Sequence, residues 1–88
     1  MKKEQKEKSR IVAILDQYSI KYKIHQLLSG VILIDIWYNE KFYVIQLEKN
    51  MFGLSEINAG NPGFDTIPDE KFKNFQELEN RLLIILSQ

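Results

Sequence analysis

His25 and Asp35 are the two residues whose chemistry asks to be placed first. His25 is the only histidine among 88 residues, and the chain has no cysteine. A nucleophilic triad or a typical zinc site joins its histidine to Cys, Ser or further His at fixed spacing. Here the histidine has none of those partners and is flanked along its strand by Lys23 and Leu27, so it is expected to be a surface or half-buried residue. Asp35 lies in the middle of an aliphatic run, VILIDIW. Burial there would raise its pKa and make it a functional candidate. The plainer expectation is a carboxylate at the edge of a sheet face, either wet or paired.

Other chemistries meet similar obstacles. Gly60 and Gly63 flank Asn61-Pro62, with no Lys-Ser/Thr behind them to cradle a phosphate. Asp65, Asp69, Glu70, Glu77 and Glu79 gather acid near the end of the chain. They could imitate nucleic acid toward a basic partner, or simply favour a helix start through its dipole. They lack the alternating ligands and terminal bidentate Glu of a calcium loop. With no catalytic constellation, the expectation is a non-enzymatic protein without metal or cofactor.

Binding is the remaining class. The stretch Val31–Leu47, VILIDIWYNEKFYVIQL, is expected to be a hairpin with apolar side chains on both faces. Hairpins usually hide one face and wet the other. With Asn39-Glu40 as a two-residue turn, Ile36 faces Tyr43, Ile34 faces Ile45 and Ile32 faces Leu47. The reverse face then pairs Trp37 with Phe42, Asp35 with Val44 and Leu33 with Gln46. A slip of one residue would set Gln46 against Ile34 and break the aliphatic column. Asn39 suits a type I′ turn, whereas Glu40 is a poor second residue. The purely apolar isoleucine face is the natural floor for helices. Leu33, Trp37, Phe42 and Val44 on the reverse face form the candidate partner site, since exposed apolar patches mark interaction surfaces and tryptophan anchors them.

The flanking elements follow from periodicity. Ile11, Ile14, Leu15 and Tyr18 make one helical stripe that ends at Ser19. The charged residues 1–8 ahead of it are expected to fray. Tyr22–Leu28 reads as a strand, and Ser29-Gly30 as a turn. Met51–Ile57 reads as a short fourth strand weakened by Gly53, and Asn58–Gly63 as a loop. Asn74 and Glu77 fit a capping box opening a last helix. Its stripe is Phe75, Leu78, Leu82, Ile85 and Leu86, widened by Leu83 and Ile84. Pro68-Asp69 is expected to turn the chain ahead of that helix, or else to form its first turn. The fold class is therefore α+β. It is a three- to four-stranded antiparallel meander with an N-terminal and a C-terminal helix on one face, in a single domain over 1–88.

That order matches the bare topology of double-stranded RNA-binding domains. Such domains carry a basic cluster at the start of the last helix. Residues 74–79 here read NFQELE, with acid at that place. Topology alone does not carry function.

Charge sums to zero but is unevenly spread. Residues 1–23 hold seven Lys/Arg against three Asp/Glu, and the remainder holds five against nine. Lys3, Lys6 and Arg10 share a helix face and are the candidate nucleic-acid contacts. Three acids interrupt the basic segment and no aromatic platform is interleaved with it, so a solvated helix face is the competing explanation. The basic start is too weakly followed by apolar residues to be a signal peptide, and no apolar run reaches the ~18 residues of a membrane span. The mature chain is thus expected to be the whole chain. The lack of cysteine suits a cytoplasmic setting. Ten lysines against two arginines, with twelve isoleucines, suit an AT-rich bacterial or phage genome. The leading expectation is a protein-protein interaction regulator or inhibitor. A nucleic-acid binder comes next, and a homodimer or larger homo-oligomer third.

Overall fold

In the computed structural model, which describes residues 3–49, 51–57 and 69–87, two helices lie against an antiparallel sheet. The elements are α1 (Lys3–Gln17), β1 (Lys21–Gln26), β2 (Ile32–Tyr38), β3 (Lys41–Leu47), β4 (Phe52–Ile57), β5 (Glu70–Phe72) and α2 (Phe75–Leu86). The strands are ordered β1-β2-β3-β4-β5, a simple meander.

The hairpin register is the one that side-chain parity requires. Ile32 pairs with Leu47, Ile34 with Ile45 and Ile36 with Tyr43, while Trp37 pairs with Phe42. Asn39 and Glu40 both have positive φ, 55° and 64°, as a type I′ turn demands. That conformation crowds the Cβ of Glu40 against its own backbone. Glu40→Gly supplies the Asn-Gly pair that this turn prefers. It is expected to raise stability by about 1 kcal/mol, read as a higher midpoint in urea with unchanged slope.

α1 stops without glycine or proline through a left-handed Ser19, φ 57°. The Ile20 N–H donates to the Leu15 carbonyl at 2.9 Å and the Ser19 N–H to that of Asp16 at 3.1 Å. This is a Schellman arrangement, which satisfies carbonyls the helix end would leave bare. It also releases Tyr18 from the stripe, and Tyr18 is exposed. α1 is described from Lys3, inside the charged segment 1–8.

Two features differ from the sequence reading. β1 ends at Gln26 rather than Leu28. A tight turn takes the next residues: the Leu27 N–H donates to the Val31 carbonyl, and the Gly30 N–H to that of Leu27. Gly30 sits at φ 95°, and Leu27 and Leu28 are exposed. A fifth strand, Glu70–Phe72, pairs Phe72 with Phe52 and Glu70 with Leu54. Residues 70–72 are therefore not a first helical turn. α2 starts at Phe75, as the capping reading expects, with Asn74 as its cap, whose side chain accepts from the Glu77 N–H at 3.0 Å. The Glu77 carboxylate accepts from the Lys73 N–H, one residue before the partner of a standard capping box. The expected loop Asn58–Gly63 and the Pro68 position lie outside the described residues.

Both helices pack on the isoleucine face. Ile11 and Leu15 of α1 and Leu78, Leu82, Ile85 and Leu86 of α2 share one buried cluster with Ile32, Ile34, Ile36, Tyr43, Ile45 and Leu47. β4 adds Phe52 and Leu54 to it. Gly53 is buried in β4 between Gln46 and Lys71. The Tyr38 hydroxyl donates to the Leu86 carbonyl at 2.9 Å and pins the end of α2 to β2. Leu83 and Ile84, which would have completed an apolar helix end, face outward.

Candidate functional site

The other face of the sheet carries no helix among the described residues. Its side chains fall into rows that run across the strands. Lys21, Trp37, Phe42 and Ile57 form one row. Lys23, Asp35, Val44 and Ser55 form the next. His25, Leu33, Gln46, Gly53 and Lys71 form the third.

The first row is the most concentrated apolar feature. Trp37 stacks on Phe42 with ring centroids 5.1 Å apart and planes inclined by 27°. The pair is offset as the ring quadrupoles favour. Trp37 remains 40% exposed. The Lys21 ammonium lies 5.7 Å from the Trp37 ring centre, within cation–π range. Glu56 and Ile57 close the far side of an open recess around this pair. Leu33, Phe42 and Val44 are half-buried. The four residues expected to form a partner site therefore lie on one continuous face, with Trp37 as its most exposed member.

Asp35 and His25 meet on this face. His25 Nε2 lies 2.8 Å from Asp35 Oδ2, with side-chain exposures of 41% and 19%. The aspartate is thus paired and partly wet. His25 is diagonal to it across the β1–β2 ladder, a position that cross-strand geometry brings into reach. Near Gln46, the side-chain amide donates to the Glu48 carboxylate. Among the described residues no group of three or more His, Cys, Asp or Glu could hold a metal ion.

Arg10 and several of the acids are engaged internally. Arg10 makes a forked contact with Glu79, with Nη2 2.8 Å from Oε2 and 2.9 Å from Oε1. Its guanidinium also sits 5.6 Å over the Phe75 ring. Glu79 is only 7% exposed, so removal of Arg10 would strand a buried charge. Lys6 is exposed. Lys3 begins α1, and its side chain lies outside the described residues. The acids behave likewise. Glu70 pairs with Arg81 at 3.0 Å, Glu77 caps the start of α2, and Asp69 accepts from the Glu56 N–H at 3.3 Å. Asp65 lies outside the described residues.

Sequence reasoning missed the burial of Glu79 and its bond to Arg10. Its available signal was helical phase, because Glu79 follows Leu78 on the core side of α2 and needs a cation there. Compared with family models, with curated proteins and with solved structures, the chain matches none.

Proposed function

We propose that this protein is a non-catalytic binding protein that takes a protein partner on the open face of its sheet, centred on Trp37 and Phe42. The observation that carries this reading is the stacked, partly exposed aromatic pair on the face away from both helices. Leu33 and Val44 extend it, and large aromatics set in such surroundings dominate interface energies. A regulator or inhibitor acting in the cytoplasm of a bacterial or phage-infected cell fits its size and composition. The test is affinity capture with the intact chain beside its Trp37→Ala and Lys6→Ala variants. A partner retained by the wild type and by Lys6→Ala, but lost with Trp37→Ala, supports the reading. An identical set held by all three overturns it.

Nucleic-acid binding through Lys3, Lys6 and Arg10 is the second reading, and the engagement of Arg10 by Glu79 weakens it. A phosphate binder loses affinity steeply as salt rises. Absence of any binding to mixed DNA and RNA at low salt would remove this reading. The third reading, a homo-oligomer joined through the same face, makes light scattering informative: the proposal expects a monomer.

A further inference from the structure

β1 is an edge strand. Among the described residues only β2 pairs with it, through all six of its residues. The opposite edge, β5, has three residues. A six-residue edge without proline offers a row of backbone donors and acceptors that is unused among the described residues, the template on which an extended segment can add.

The side chains of β1 specify what would add. Lys21 and Lys23 project on the open face and are exposed. Neither forms an ion pair among the described residues. Lys21 leans on Trp37. Asp35 stands opposite Lys23 but is taken by His25. On the other face Tyr22 and Ile24 pack against the core while remaining half-buried, which leaves an apolar shelf beside α1. Asp16 stands on that second side next to Tyr22. Partial burial, then the Asp16 charge and hydrogen bond, raise the Tyr22 phenol above its ordinary value. Acid is therefore favoured on one side of an added strand and disfavoured on the other.

A second copy of this chain is a poor occupant. Antiparallel pairing of two β1 edges sets Lys23 directly against Lys21 or Lys23 in some of the registers that keep the faces matched. Like charges directly opposite are destabilising, and edge lysines are a usual guard against self-pairing.

We infer that the β1 edge accepts an extended polypeptide segment of alternating acidic and aliphatic residues. The segment adds as a sixth strand, its acids beside Lys21 and Lys23 and its aliphatic side chains beside Ile24. This goes beyond the reading of the open face and stands separately from it.

The test uses the full ¹⁵N-labelled chain titrated with a blocked hexapeptide of alternating glutamate and valine. A lysine–valine hexapeptide and an oligothymidylate serve as comparison probes. The expected result is a set of amide shift changes concentrated at residues 21–26, with slowed hydrogen exchange along β1. The lysine–valine peptide should bind at least tenfold more weakly. Lys21→Glu combined with Lys23→Glu should invert that preference, and Lys21→Gln with Lys23→Gln should weaken both preferences without unfolding the chain. The inference is overturned by no response to the glutamate–valine peptide, an equal response to the lysine–valine peptide, binding of the oligothymidylate at β1 in place of the peptide, or a dimer of the chain alone joined through β1. Changes at Phe42 and Val44 without any at β1 would also overturn it. The residue-by-residue readout keeps failure of the edge distinct from failure of the open face.

Discussion

Ile34→Ala will lower the stability of this protein by about 2–5 kcal/mol. Ile34 is fully buried at the centre of the sheet, between Ile24 of β1 and Ile45 of β3. Both helices lie over that face, so the three missing carbons leave a void that neighbouring strands cannot close without breaking their ladders. An 88-residue domain has only about 4–13 kcal/mol in total at the usual per-residue stability. The variant should melt roughly 10–30 °C lower, read by circular dichroism. Val44→Ala is the matched control. Val44 is half-buried on the opposite face, and its truncation should cost no more than about 1 kcal/mol. An Ile34→Ala melting curve equal to the wild type, with Val44→Ala strongly destabilised, would mean that the faces are exchanged.

Trp37→Ala will weaken partner binding by about 2 kcal/mol or more, roughly a thirtyfold rise in Kd. The folded state should lose less and stay folded. Trp37 gives up one stacking contact with Phe42 and the nearby Lys21 ammonium, and an aromatic pair of this kind contributes about 0.5–1.5 kcal/mol. The isoleucine core beneath is untouched. Calorimetric titration with the captured partner and a urea melt of the free variant read the two effects independently. A variant that binds normally but unfolds easily would assign Trp37 to structure alone.

The features legible in the sequence were those fixed by local repeat. The hairpin register followed from a two-residue turn between Tyr38 and Lys41 and from strict alternation of Ile32, Ile34 and Ile36. The same parity identified the floor on which α1 and α2 lie. Asn74 was readable as a cap because its side-chain oxygen and the backbone three residues on are geometrically linked. β5 was not readable, since three residues give no period and Glu70–Phe72 forms a strand only because β4 offers its edge. The end of α1 was soft because Ser19 takes a backbone conformation that serine seldom adopts. Tertiary pairing was the least visible layer. Nothing near Arg10 in sequence indicates Glu79, 69 residues away. The aromatic pair of the candidate site was visible through register, whereas the His25–Asp35 contact needed the β1–β2 alignment as well.

Acrylamide quenching of the intrinsic fluorescence tests the central claim most directly, because Trp37 is the only tryptophan. With the open face outward and both helices on the isoleucine side, the native chain at low concentration should be quenched readily, with emission near that of a water-exposed indole. Addition of partner should shield it and shift the emission to shorter wavelength. A native tryptophan already shielded from acrylamide in the dilute, isolated chain, and released only on unfolding, would contradict the account.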